Sequence, residues 1–380
     1  MRLALLSAGL LLLAGCPSED DPLSRTGRGD PFAVNCTPGL PDPGITQVVD
    51  IGASFPCDED WNTCNADYTD TFLQETAGWV EPPADCDALI EEIYAIWDAG
   101  EFPPTEPGPF TTAQLQERVI DGIALGPLLD GLDSRSLTVT TVAERSTDTY
   151  TETELIFTDP LVGSFQGLLL TPPGDGPFPV ALQLPGHHDD AAWHRDMRYG
   201  GLFPEYGIAT LILSVRAYDA GPYEDEATRA VLCAGFSMQT LRVYEALVAL
   251  RFLRGEERFC ADRRALHGHS GGAVALNTLV RADTDFQALV TDFDSSYVGV
   301  ADQEDGSRFL SDENAPGLVR LRGHIVDWIT SPIWVLQTGY GVCESCIDGE
   351  VHPDEVPEFM FDFLTEKLAD DAEPWVPPTE

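Results

Sequence analysis

A single lysine, Lys367, stands among 380 residues, and only 21 basic side chains face 64 acidic ones. The resulting formal charge of −43 repels nucleic acid and anionic membrane surfaces, so neither is an expected partner. The acids are scattered rather than gathered in one tail, which describes a solvated surface and says nothing about substrate. The apolar run Leu3 to Leu13 is too short to span a bilayer as a mature helix. Asp58-Glu59-Asp60 lacks the ordered ladder of oxygen ligands that calcium needs, so a solvated turn is the better reading. Cys343-Glu344-Ser345-Cys346 lacks the strand–helix setting of a redox C-x-x-C and is at most half a zinc site; a small structural loop is expected.

What the chain does have begins at its start. Met1-Arg2 is a short basic region, Leu3 to Leu13 an apolar core, and Leu13-Ala14-Gly15-Cys16 resembles the lipobox of bacterial lipoproteins. The resemblance implies cleavage before Cys16, lipidation of that thiol and a lipid-anchored place in the cell envelope, outside the cytoplasm. That compartment is oxidising. Beyond Cys16 there are eight cysteines (36, 57, 64, 86, 233, 260, 343 and 346), an even number suited to disulfides. The expected pairings lie within Cys36 to Cys86 and between Cys233 and Cys260, although spacing does not fix connectivity.

The expected organisation has five parts: a signal peptide over 1–15, a Pro/Gly/Asp-rich tether over 16–45, a Cys-rich and partly helical segment over 46–130, a catalytic domain over 131–370, and a tail over 371–380. In the third part Leu89, Ile90, Ile93, Ile96 and Trp97 share helical spacing. From about residue 135 strands and helices alternate. Leu137–Val142, Thr151–Phe157, Gly163–Leu170, Pro179–Leu184, Ile208–Val215, Ala288–Phe293 and Pro332–Gln337 read as strands. One long helix is expected over roughly 226–253, with Val243, Leu247 and Leu250 on its buried stripe, and a last helix over Glu358–Leu368. This order specifies an α/β fold with a mainly parallel sheet covered on both faces.

The chemistry centres on Gly268-His269-Ser270-Gly271-Gly272, a G-x-S-x-G between the strand-like Arg263–His267 and the helix-forming Ala273–Val280. That arrangement is a nucleophile elbow: the glycines permit a tight turn, and the helix N-terminus favours negative charge at Ser270. An elbow serine needs an oxyanion hole, a base and a group to orient the base. The N–H of Gly271 is one expected oxyanion donor. The N–H of His187, in Leu184-Pro185-Gly186-His187-His188, is the other. A metal cluster of His187, His188, Asp189, Asp190 and His194 is not favoured, because the residues lack the helical spacing of a zinc-binding pair.

Leu169 to Tyr297, with LLLTPPGDGPFPVALQLPGHH, YGIATLILSVRAYDAG and FCADRRALHGHSGGA, resembles the α/β-hydrolase superfamily, nearest its dienelactone-hydrolase and acetyl-xylan-esterase-like branch. The resemblance implies an α/β-hydrolase fold carrying a Cys-rich N-terminal extension, a serine hydrolase acting on small esters or an esterified polysaccharide, and no cofactor or metal. Proline replaces the histidine that the family places before its oxyanion glycine. The family's strand-end aspartate is missing after Pro332–Gln337, where this chain reads Thr338-Gly339-Tyr340-Gly341-Val342. Either a strand–helix unit has been lost or Pro332–Gln337 is itself the last strand. His352 is the expected base, with His324 as the alternative. Asp294 is the expected acid, with Asp292, Glu344, Asp348 and Glu350 as alternatives. Two other functions stay open: a peptidase of the same fold, though no propeller repeat is present to gate peptides, and a surface binding protein on a degenerate hydrolase scaffold.

Overall fold

The computed structural model describes residues 36–53, 69–106, 108, 110–187, 189–214, 222–283, 286–291, 297–302, 305–321, 334–337 and 358–369. Among the described residues its centre is a nine-stranded sheet in the order β1-β2-β3-β4-β6-β5-β7-β8-β11. The strands are β1 (Ile45–Val49), β2 (Leu137–Ser146), β3 (Thr151–Asp159), β4 (Gly163–Thr171), β5 (Phe178–Leu184), β6 (Ala209–Leu213), β7 (Phe259–Gly268), β8 (Ala288–Thr291) and β11 (Trp334–Gln337). β2, β3, β4 and β6 pair antiparallel in sequence, whereas β6, β5, β7, β8 and β11 run parallel. β9 (Val300–Asp302) and β10 (Arg308–Leu310) form a separate antiparallel pair.

The helices are α1 (69–75), α2 (Cys86–Ala99), α3 (Thr112–Gly122), α4 (Gly126–Leu129), α5 (Ala191–Met197), α6 (Pro222–Cys233), α7 (Met238–Gly255), α8 (Gly271–Ala282) and α9 (Glu358–Leu368). Period-2 alternation along the central strands separates the two cores. Val180, Leu182, Leu184, Leu266 and Leu289 join the core that holds α7 and α8. Ala181, Ala265, Ala288 and Val290 face Phe203, Phe361 and Leu364, which brings α9 to the opposite face. The sheet is thus covered on both sides, and each such buried Val, Leu or Phe contributes roughly 1.5–3 kcal/mol. Among the described residues, no helix is long and apolar enough to cross a membrane.

Four expectations change. The expected single helix over 226–253 is two, α6 and α7. Gly235 turns the chain with φ +90°, and Ser237 caps α7 in a capping box with Thr240. α7 has no one-sided stripe, because Met238 through Leu253 are all buried. The helix packs against β5, β7, α6 and α8, and Tyr244 and Thr240 reach the carboxylate of Asp159 and the carbonyl of Ile123. Among the described residues the disulfides are Cys36–Cys260 and Cys86–Cys233, so Cys36 and Cys86 do not pair within the 36–86 group and Cys233 does not pair with Cys260. Cys57, Cys64, Cys343 and Cys346 lie outside the described residues.

β1 was not expected either. It adds parallel to β2 with Ile45 opposite Leu137, so residues 45–49 belong to the sheet. Just before it, the side chain of Arg251 donates to both carboxylate oxygens of Asp42, at 2.6 and 3.0 Å, and to the carbonyls of Leu132 and Arg135. The helical segment ahead of the sheet shares the main core, through Phe72, Ile90, Ile93, Leu115, Val119 and Leu125. The last described strand, β11, pairs parallel with β8 and forms the edge of the described sheet.

Candidate active site

β7 and α8 meet at Ser270, which caps α8 with φ +48° and ψ −122°. That backbone region is strongly disfavoured for a residue with a side chain, so the turn is strained and held by its surroundings. The neighbouring glycines explain how. A Cβ on Gly272 would lie 2.1 Å from the carbonyl oxygen of Leu184, and one on Gly268 would lie 2.7 Å from the Ala273 Cα. The first turn of α8 therefore rests directly on the end of β5 and on its own strand. The N–H of His269 donates to the Leu184 carbonyl at 3.2 Å and fastens the elbow to β5.

The loop after β5 completes the arrangement. Gly186 faces Ser270, and the imidazole of His187 lies against Gly271 at the start of α8, its Cε1 2.8 Å from the place a Gly271 Cβ would take. The N–H groups in the first turn of α8 have no acceptor within the helix, and the helix dipole adds positive potential there. Ser270, Gly271 and His187, read from the sequence as nucleophile and oxyanion residues, are thus brought together at the carboxyl ends of β5 and β7. His352, His324, Asp294, Asp292, Glu344, Asp348, Glu350 and Cys16 lie outside the described residues.

Asp190, one of the residues weighed for a metal cluster, caps α5 by accepting from the Trp193 N–H at 2.6 Å. His194 is fully buried in α5, with ring contacts to His267 5.4 Å away. Burial, reinforced by the positive potential of His267, His269 and Arg198, holds the His194 pKa well below its ordinary value.

Sequence reasoning missed a charged cluster beside the loop after β5. The Nε2 of His187 lies 3.2 Å from the Glu224 Oε1 and 3.2 Å from the Asp312 Oδ1, and Nδ1 is 4.0 Å from the Glu313 Oε1. Glu224 also accepts from the backbone N–H of Asp312 at 2.7 Å, while its neighbour Asp225 accepts from that of Leu310 at 2.7 Å. These bonds dock the 310–314 loop on α6. Arg242 of α7 pairs with Asp312, and both are buried. Burial lowers the Arg242 guanidinium from its ordinary value against the pull of Glu224, Glu313 and Glu245. Burial likewise raises the Glu313 carboxyl, with His187 and Arg242 opposing and Glu224 adding to the rise. No local pattern marks residues 187, 224, 242 and 312 as partners, because helix crossovers alone bring them together.

Solved structures resemble this chain over most of its length. A Bacteroides fragilis protein assigned as an acetyl xylan esterase matches with a TM-score of 0.50 and 16% identity, covering 64% of this chain and 74% of that one. A methylesterase matches with a TM-score of 0.42 and 15% identity, over 72% of this chain and 55% of its own. A glucuronoyl esterase from Solibacter usitatus matches with a TM-score of 0.39 and 12% identity, over 64% and 72%. No family model and no curated protein sequence matches. The first of these likenesses and the sheet order define an α/β fold of the α/β-hydrolase architecture. The structural neighbours are distant and include acetyl xylan esterases and other esterases of that fold.

Proposed function

We propose that this chain is a serine hydrolase of carboxylic esters, anchored by lipid on Cys16 outside the cytoplasm. The observation that carries the reading is the positive φ of Ser270 at the junction of β7 and α8. A strained serine there has no structural use, and strain at a helix N-terminus suits a nucleophile. Ser270 Oγ attacks the ester carbonyl while His352 takes its proton. The tetrahedral oxyanion accepts from the N–H groups of Gly271 and His187. As the intermediate collapses to the acyl-enzyme, His352 gives its proton to the departing alcohol. Water then enters by the same route, with His352 as base, and frees the acid and Ser270. Asp294 holds the imidazole in the required tautomer. The esterase neighbours support an esterified substrate, either a small ester or an acylated polysaccharide.

The test compares hydrolysis of 4-nitrophenyl acetate by wild type, Ser270→Ala and His352→Ala. Both variants should lose about 10³-fold or more in kcat, and the double variant should lose no more than either single one. Full activity in Ser270→Ala would refute the reading. Full activity in His352→Ala would move the base to His324. Losses in Asp294→Asn, Asp292→Asn and Asp348→Asn, compared singly, identify the acid.

A further inference from the structure

The geometry points to a binding site for one divalent transition-metal cation, of the zinc class, formed by His187, Glu224 and Asp312. One donor atom from each of the three lies within 4.8 Å of the others. Two carboxylates converge on a single nitrogen, each 3.2 Å from His187 Nε2. That nitrogen has at most one proton to donate, so it satisfies one carboxylate only, and the Glu224 Oε1 otherwise receives just the neutral backbone N–H of Asp312. The side chains of Glu224 and Asp312 are 1% and 0% exposed, so water does not screen the conflict. Arg242 pairs with Asp312 on its other side and also faces Glu224 and Glu313, so one guanidinium meets three carboxylates.

A second observation concerns Glu224 alone. Its Oε2 is buried and has no hydrogen-bond partner among the described residues. That oxygen belongs to the carboxylate whose Oε1 faces His187, so a buried carboxylate keeps acceptor capacity that no described protein donor fills and that a bound cation would use. The distances also suit a metal. Ligands about 2.0–2.1 Å from a tetrahedral zinc stand roughly 3.3 Å apart, close to the two 3.2 Å separations here. An imidazole with two carboxylates is a borderline donor set that favours zinc or manganese over calcium, which prefers oxygen alone.

The cation would tie three elements together: the loop after β5 through His187, helix α6 through Glu224, and the 310–314 loop through Asp312. Because the His187 ring lies against Gly271, the site would fix the oxyanion loop against the elbow. Only this last consequence rests on the proposed hydrolase function; the binding does not.

The test uses the full chain, stripped with EDTA, exchanged into metal-free buffer and titrated with zinc chloride by calorimetry, with bound metal counted by mass spectrometry of the elements. One equivalent should bind wild type saturably and raise its melting temperature. Glu224→Gln and His187→Gln should each weaken that binding at least tenfold while retaining the far-UV circular dichroism of wild type. Ser270→Ala should bind as wild type does, which separates this inference from the hydrolase reading. Absence of a saturable equivalent in folded wild type would overturn the proposal. Zinc binding of equal strength in wild type, Glu224→Gln and His187→Gln would also overturn it, by assigning the metal to cysteines or surface acids. If one variant fails to fold, the other and the wild-type titration still decide.

Discussion

Gly186 and Ser270 stand so close that a methyl group on Gly186 would lie 2.8 Å from the Ser270 Cβ. The loop after β5 and the elbow serine are therefore packed as one unit, and space for Ser270 depends on the absence of a side chain at Gly186 on the neighbouring strand's loop. Gly186→Ala is expected to displace Ser270 or the loop by a few tenths of an ångström or more. Because a misplacement of about 1 Å costs on the order of 10²-fold, a severalfold to 10²-fold loss in kcat/KM is expected if Ser270 is the nucleophile. Steady-state kinetics on a short ester, with circular dichroism to show a retained fold, checks it.

Strain at Ser270 gives a second expectation. Glycine adopts the observed φ of +48° without a Cβ clash. Ser270→Gly should therefore be more stable than Ser270→Ala, by roughly 1 kcal/mol, although both lack the hydroxyl. Urea unfolding of the two variants measures the difference directly. Equal midpoints would mean that the elbow is not strained.

The elbow was legible in the sequence because its physics is local. Gly268, Ser270 and Gly272 lie within five residues, and each glycine answers a clash that the strand–turn–helix geometry imposes. The alternation of strands and helices was equally legible from about residue 135 on, since burial on a two-sided sheet writes apolar runs into the central strands β4 to β8, whereas the exposed β1 carries no such run. The break at Gly235 was not, because apolar residues continue on both sides of it. The disulfides join cysteines 224 and 147 residues apart, and no spacing rule reaches that far. The His187–Glu224–Asp312 cluster was hidden for the same reason: it belongs to the packing of α6 and the 310–314 loop against the end of β5.

His194 provides a stability expectation that is independent of catalysis. Neither ring nitrogen has a hydrogen-bond partner among the described residues, and the ring is fully buried. The groups that face it are His267 and His269 on and beside β7, and Arg198 just after α5, all unfavourable to a second positive charge. Its folded pKa lies well below the unfolded 6.5. The unfolded state therefore takes up a proton first as pH falls. Stability due to this group is intact above pH ~6.5, declines below it, and levels off only beneath the folded pKa. Between pH 7.5 and 5.5 wild type should lose stability through this one residue, by at most about 1.4 kcal/mol. His194→Phe, which keeps a ring in the cavity, should lose that much less over the same interval in urea unfolding.

Covalent capture of the nucleophile tests the central claim most directly. Native wild type is treated with a fluorophosphonate, digested, and mapped by peptide mass spectrometry. One phosphonyl group should appear on Ser270, ester hydrolysis should fall in proportion to labelling, and Ser270→Ala should remain unmodified. A folded wild type that hydrolyses esters yet carries the label on another residue, or that takes up no label and hydrolyses nothing, would contradict the account.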